Sequence, residues 1–89
     1  MRGIGLKAMN RTELKAILEA EGFPVQAYSL DGGLPDEAYC IGLDGDGWVY
    51  YYSERGGRSG LLSFPDEASA CTYLLERLRH DIGGRPRPQ

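Results

Sequence analysis

The sequence is poor in the residues on which most enzyme active sites, metal sites and disulfide-rich folds depend. Its 89 residues include two cysteines and one histidine. Cys40 and Cys71 are too few for a disulfide framework and have no companion at a metal-binding spacing, so we expect reduced thiols and no metal or cofactor. His80 has no matched nucleophile or acid that would predict a catalytic triad. We therefore expect no catalytic residues and no enzyme activity.

Long apolar runs are also missing. No stretch approaches the length of a membrane span or of a signal-peptide core, which predicts a cytoplasmic protein that does not enter a membrane. The length of 89 residues predicts a single small domain. We place that domain at residues 9–82, with a flexible, Gly-rich extension at residues 1–8 and a flexible tail at residues 83–89.

Aromatic residues are concentrated in one stretch, residues 47–56, which holds the only tryptophan and three of the six tyrosines. This composition predicts a central β-strand. Residues 39–43 predict the preceding strand, joined through Asp-Gly pairs that supply the positive φ of a tight hairpin turn. With Leu43 opposite Trp48, alternation then divides the side chains between two faces. The face with more apolar area, and therefore the predicted core, carries Tyr39, Ile41, Leu43, Trp48, Tyr50 and Tyr52.

Helices are predicted on both sides of the strands in the sequence. Asn10 is a good N-cap for a first helix that ends at Gly22, and a second helix opens at residues 65–67. Further strands are predicted at residues 25–30 and 60–64. The order α-β-β-β-β-α predicts an α+β fold, a four-stranded antiparallel meander with both helices packed on its aromatic face. The opposite face, with Val49 and Tyr51, would then be exposed, and Cys40 and Cys71 would lie on opposite sides of the sheet.

Charge is segregated along the chain. Eight acidic residues and no Lys, Arg or His lie between Ala16 and Glu54, although the net charge of the whole chain is only −3. One interpretation is that these acids are solubilising turn and cap residues. The other is a patch on the hairpin loops and the exposed sheet face that attracts a basic partner. For such a patch, with Tyr51 as its aromatic anchor, we predict these partner-binding residues: Asp36, Glu37, Asp44, Asp46, Tyr51 and Glu54.

Three ordered blocks of the chain carry a resemblance to a known family. They are Tyr-Ser-Leu-Asp-Gly-Gly-Leu-Pro-Asp-Glu-Ala-Tyr-Cys at residues 28–40, Tyr-Tyr-Ser-Glu-Arg-Gly at residues 51–56, and a spaced block at residues 64–75. Together they resemble small immunity proteins of bacterial polymorphic-toxin systems. The resemblance implies a cytoplasmic protein without enzymatic activity that binds and neutralises a cognate toxin domain. It assigns no interface residues, because such families diverge at their contact positions.

Two other functional classes are alternatives, and one of them, the double-stranded RNA-binding module, has the same order of elements. A regulatory or scaffolding domain would use the open sheet face or an edge strand to bind another protein. A double-stranded RNA-binding module would need basic residues at the start of its second helix, where this chain has Asp66 and Glu67, so nucleic acid is disfavoured. The partner that the resemblance implies is a toxin protein domain, inhibited by occlusion of its active or substrate-binding site, and the acidic patch predicts that this domain has a basic surface.

Overall fold

The structure, a computed structural model, describes residues 9–82, which form an α+β domain with one four-stranded sheet and two helices. The extension and tail predicted at residues 1–8 and 83–89 lie outside the described residues. In chain order the elements are α1 (Arg11–Ala20), a short 3₁₀ helix (Val25–Ala27), β1 (Tyr28–Ser29), β2 (Ala38–Asp44), β3 (Gly47–Glu54), β4 (Gly57–Phe64) and α2 (Glu67–Asp81).

The first helix begins and ends as its capping residues predict. The Asn10 side chain accepts a hydrogen bond from the backbone N–H of Glu13 at 2.9 Å. Gly22 follows the helix with a φ of +81°, a conformation that glycine adopts without steric cost. The backbone N–H of Phe23 then donates to the Leu18 carbonyl at 3.1 Å, which closes the end of the helix.

The predicted register of the central hairpin is confirmed. β2 and β3 are antiparallel, with Leu43 opposite Trp48 and Ile41 opposite Tyr50. Their two-residue turn starts at Gly45, whose φ of +65° suits the first central position of a type II′ turn. β4 pairs antiparallel with the other side of β3, with a register shift at its centre. The strand order is β1-β2-β3-β4.

The prediction of a fully antiparallel meander is wrong at its first strand. β1 runs parallel to β2, with Tyr28 beside Tyr39. Parallel neighbours need a connection that crosses the sheet, because a tight turn would reverse the chain. Residues 30–37 make this connection and pass over the sheet face that carries Tyr51. The sheet is therefore mixed.

The lengths of the outer strands also differ from their predictions. Within residues 25–30, the N–H of Ala27 donates to the Pro24 carbonyl at 2.9 Å and closes a 3₁₀ turn. Because this turn takes up part of the predicted strand, only two residues pair with β2. β4, in contrast, starts at Gly57 instead of residue 60, since the turn before it needs only two residues.

The larger core lies against the sheet face that bears Ile41 and Tyr50, which we call the helix face. Both helices contribute to it, as predicted. The buried side chains are Leu14 and Leu18 of α1, and Ala70, Cys71, Leu74, Leu75 and Leu78 of α2. The cover is incomplete, however. Tyr39, Trp48 and Tyr52 are only half-buried and Leu43 is exposed, although all four were predicted as core.

The opposite sheet face, which bears Cys40 and Tyr51, is covered by residues 30–37, and we call it the loop face. Its smaller core consists of Ala38, Cys40, Val49 and Tyr51. The expectation that Val49 and Tyr51 would be exposed is wrong, because the crossover loop packs where solvent was predicted. The predicted placement of Cys40 and Cys71 on opposite faces is confirmed by their separate clusters.

Candidate partner-binding surface

The five acidic residues predicted to bind a partner are all exposed, but they lie at two ends of the sheet. Asp44 and Asp46 lie at the β2–β3 turn, which we call the hairpin end. Asp36, Glu37 and Glu54 lie where β2 begins and β3 ends, which we call the Glu54 end. A strand rises about 3.3 Å per residue, so about 20 Å separates the two groups. They form two acidic surfaces rather than one.

The fold divides the eight acids of the charge-segregated span into paired and unpaired groups. Three of them form ion pairs with basic residues of the helices: Glu19 with Lys15, Glu21 with Arg79, and Asp31 with Arg11. The other five are the predicted partner-binding acids, and their side chains form no ion pair or hydrogen bond within residues 9–82. Their carboxylate oxygens therefore remain accessible to a partner.

Tyr51 does not form the exposed anchor that the sequence predicts. The residue is 1% exposed, and its hydroxyl donates to the Gly33 carbonyl at 2.6 Å. Burial raises the pKa of this hydroxyl. The Arg58 guanidinium lies over the ring, 4.6 Å from its centroid. Tyr51 thus fixes residues 30–37 to the sheet and is unavailable as a contact residue.

A cleft of about 440 Å³ opens on the helix face, between α2 and the strands. We call it the tyrosine cleft, because its lining includes the rings of Tyr39, Tyr50, Tyr52 and Tyr73. The rings form two edge-to-face pairs, with centroids 5.1 Å apart for Tyr39 and Tyr52, and 4.8 Å apart for Tyr50 and Tyr73. This geometry is the favourable one for aromatic pairs. The cleft is a concave aromatic surface beside the Glu54 end.

Asp81 and Arg77 bring opposite charges into the cleft from one face of α2. The Arg77 Nη2 atom donates to both carboxylate oxygens of Asp81, at 3.1 and 2.9 Å. The Tyr39 hydroxyl donates to the same carboxylate at 2.9 Å. Burial, and next this bond, raise the pKa of Tyr39 to about 12. Contacts with His80, Tyr39 and Arg77 lower the pKa of Asp81, which therefore stays ionised at neutral pH.

The described side chains do not assemble a nucleophile with a base. His80 Nδ1 lies 2.9 Å from Asp81 Oδ1, and the ring makes no other side-chain hydrogen bond within residues 9–82. Cys40 and Cys71 are both buried, and burial raises the pKa of each thiol to about 11. Few of these thiols are therefore ionised near neutral pH, and neither lies in the cleft.

Only part of the tyrosine cleft can be predicted from the sequence. The hairpin register places Tyr39, Tyr50 and Tyr52 on one face, but assigns them to a closed core. The four-residue spacing of Arg77 and Asp81 is the available signal for an ion pair on α2. What opens the cleft is β4, which contributes only Ser59 and Gly60 to its lining, and whose shifted register no local pattern predicts.

Comparisons with protein-family models, with curated proteins and with solved structures find no significant match. Neither helix within residues 9–82 is long and apolar enough to cross a membrane. In the same part of the chain, no group of three or more His, Cys, Asp or Glu side chains is arranged to hold a metal ion. Within residues 9–82, the two acidic ends, the tyrosine cleft and the exposed edge strand β4 are surface features that a partner could contact.

Proposed function

We propose that this protein is a cytoplasmic immunity protein that binds a cognate bacterial toxin domain and neutralises it. It acts by covering the active or substrate-binding site of the toxin, so its own side chains perform no catalysis. No cofactor, nucleic acid or membrane is needed for this role. The observation that supports the proposal is the set of five exposed acidic side chains that form no ion pair within the described residues.

A basic surface on the toxin is the partner that these carboxylates favour. Opposite charges on two protein surfaces speed their encounter and discriminate against wrong partners. Toxin domains that act on nucleic acids or on anionic cofactors need a basic groove to hold them. An acidic protein that binds across such a groove blocks the substrate without any chemical step. The hairpin end and the Glu54 end offer two separate surfaces for this contact.

A non-enzymatic regulatory or scaffolding domain is the second candidate, and β4 is the observation that favours it. β4 has a neighbouring strand on one side only, and all its residues except Phe64 are exposed. Leu61 and Leu62 are 49% and 41% exposed. An exposed strand edge of this kind accepts a strand from another protein. The other predicted route, through an open sheet face, is blocked because residues 30–37 cover that face.

Charge reversal at each acidic end tests the immunity proposal. The proposal predicts that the gene immediately upstream encodes a large secreted protein with a variable C-terminal toxin domain, and the toxin domain for the test is taken from there. One variant combines Asp44→Lys with Asp46→Lys, and a second combines Asp36→Lys with Glu54→Lys. At least one of them should slow association with the toxin domain roughly tenfold at low salt. The same variant should leave cells less protected when it is co-expressed with the toxin.

The matched control reverses two exposed acids on the helices, Glu19→Lys with Glu76→Lys. It changes the net charge by the same amount, and should bind and protect like the parent. All variants should unfold at the same urea concentration as the parent, apart from shifts typical of surface substitutions. If both acidic ends can be reversed while binding and protection remain unchanged, the acids are not the interface. The immunity proposal would then lose the observation that supports it.

A further inference from the structure

The tyrosine cleft leaves aromatic rings accessible to solvent. Tyr39 and Tyr52 point to the same side of the sheet as the buried Ile41, yet both are only half-buried. Tyr52 pairs with Ser59 of β4, and the next residue, Gly60, has no side chain. Since no large group of β4 covers these rings, the cleft stays open. Its volume of about 440 Å³ leaves room for the end of a long side chain.

The carboxylates of the Glu54 end act on this cleft electrostatically. Desolvation is the main cause of the raised pKa of Tyr52, and Glu37, Glu54 and Asp36 raise it further. These three acids are therefore near enough to oppose the formation of a negative charge on the ring hydroxyl. By the same Coulomb interaction they favour a positive charge placed beside the ring.

The positive groups near the cleft do not cancel these carboxylates. Arg77 is bound to Asp81, which neutralises that pair. Arg55 is exposed in the β3–β4 turn and compensates one carboxylate of the Glu54 end. The surroundings of the cleft therefore keep a net negative charge, which disfavours an anionic ligand.

Aromatic ring faces and nearby carboxylates together select a cation. A guanidinium suits the site better than an ammonium, because it is planar, stacks on aromatic rings and donates several hydrogen bonds in fixed directions. The chain already makes this contact in two other places. The Arg11 guanidinium lies 5.0 Å from the Trp48 ring centroid, and that of Arg58 lies 4.6 Å from the Tyr51 centroid.

We propose that the tyrosine cleft receives an arginine side chain of a partner protein. The guanidinium lies against Tyr39 and Tyr52 and pairs with Glu37 or Glu54, while Arg77 stays paired with Asp81. The inference rests on the proposed function for the identity of the partner. It supplies the aromatic anchor that the buried Tyr51 does not, since interface energy is concentrated in a few such contacts.

A peptide titration on this protein alone tests the cleft. The probe is acetyl-glycyl-arginyl-glycine amide, and its matched control is the citrulline analogue, which has nearly the same shape but no charge. Amide chemical shifts are followed by NMR while each peptide is added up to tens of millimolar. The arginine peptide should shift residues around Tyr39, Tyr52 and Tyr73, and should leave the hairpin end unchanged. The citrulline peptide should bind at least about tenfold more weakly.

Two variants separate the cleft from the overall charge of the protein. Asp36→Asn with Glu54→Gln should weaken binding of the arginine peptide about threefold, whereas Asp44→Asn with Asp46→Asn should have little effect at moderate salt. Tyr52→Leu should weaken it further, provided that thermal unfolding shows an intact fold.

Three results would overturn the inference: equal shifts with both peptides, shifts that centre on the hairpin end, or no saturable shift at tens of millimolar peptide. Because the toxin takes no part in this titration, its failure leaves the proposed function untouched. Conversely, if the arginine peptide binds in the cleft but the protein neither binds the toxin domain nor protects cells from it, the proposed function is rejected and the inference about the cleft stands.

Discussion

The two faces of the sheet are buried by different means. The helix face is covered by the apolar side chains of two helices, which meet Ile41 and Tyr50 in one large cluster. The loop face is covered by the backbone of residues 30–37 above a cluster of four residues. Three hydrogen bonds join that loop to β2 and β3: Tyr51 Oη to Gly33 O at 2.6 Å, Ser53 Oγ to Pro35 O at 2.5 Å, and Gly32 N to Ile41 O at 2.9 Å.

This difference shows that the apolar area of a sheet face determines which face the helices cover. It does not determine whether the other face is exposed to solvent. A glycine-rich segment buries a sheet face by close approach of backbone to backbone. A Cβ at Gly42 would stand only 3.1 Å from the Cα of Gly32. The larger core depends on apolar volume, and the smaller one on short contacts and satisfied polar groups.

The largest expected effect comes from adding one methyl group to the loop face. In Gly42→Ala, the new Cβ meets two backbone atoms of Gly32, at 3.1 and 3.3 Å, so the loop itself has to move. We expect a loss of about 1–3 kcal/mol in the free energy of unfolding. Urea denaturation measures this loss, and NMR shifts should concentrate in residues 30–37 and around Tyr51 while the helix face stays unchanged.

Gly57→Ala is the control for this substitution. Gly57 lies on the exposed β4, and a Cβ there would meet its nearest neighbour at an ordinary 3.8 Å. Its cost should stay within about 0.5 kcal/mol. If Gly42→Ala costs no more than Gly57→Ala, the loop is not packed as closely as its distances indicate, and the contrast between the faces fails.

Removing one hydroxyl from each core is expected to change the free energy of unfolding by a smaller amount. The two changes should differ in sign. Tyr51→Phe removes the donor to the Gly33 carbonyl and should cost about 0.5–1.5 kcal/mol. The Tyr28 hydroxyl belongs to the helix-face core, where it is buried and has no hydrogen-bond partner within the described residues. Tyr28→Phe should therefore be neutral or stabilise the protein by up to about 1 kcal/mol.

Both tyrosine variants are compared by urea and by thermal unfolding at pH 7, with the parent in the same series. Equal losses in the two variants would mean that the Tyr28 hydroxyl has a partner after all. A neutral Tyr51→Phe would show that the loop is not fixed by this bond.

The elements that the sequence predicts well are those set by neighbours in the chain. The register of Leu43 and Trp48 follows from strict alternation and from a two-residue Asp-Gly turn, both local signals. The end of α1 follows from Gly22 in the same way. The charge segregation predicts one acidic patch, although this register already places Asp44 beside the turn and Glu54 a full strand away from it.

The structural features that the sequence does not predict depend on contacts between segments that are distant along the chain. Gly32 and Gly33 both adopt positive φ, as is typical of glycines in turns, but no local pattern indicates that the loop crosses the sheet over Gly42 and makes β1 parallel. The burial of Tyr51 follows from that crossing. The tyrosine cleft likewise depends on the shifted pairing that places Ser59 beside Tyr52, which only the folded sheet determines.

Each face of the sheet contains one buried cysteine, so the two faces can be compared through the pH dependence of protein stability. Burial is the main cause that raises the pKa of Cys40 and of Cys71 from the ordinary value of 9.0 to about 11. Each thiol therefore ionises at a lower pH in the unfolded chain than in the folded protein. The stability linked to each thiol is fully present below about pH 9 and is lost as the pH rises through about 11. The alanine variants at these positions should lose part of this alkaline dependence.

The smallest expected effect is a difference in the rates at which the two thiols become accessible. At pH 8 roughly one buried thiol in a thousand is ionised, so a thiol reagent must wait for local opening. Opening of the loop face breaks a few hydrogen bonds, whereas access to Cys71 requires the displacement of α2 from a much larger apolar cluster. In the single-cysteine variants Cys71→Ala and Cys40→Ala, an aromatic disulfide reagent should label Cys40 roughly tenfold faster than Cys71. Gly42→Ala should accelerate Cys40 alone. If both thiols react at one rate and the loop substitution accelerates both equally, the sheet opens as a single unit and its two faces are not independently stable.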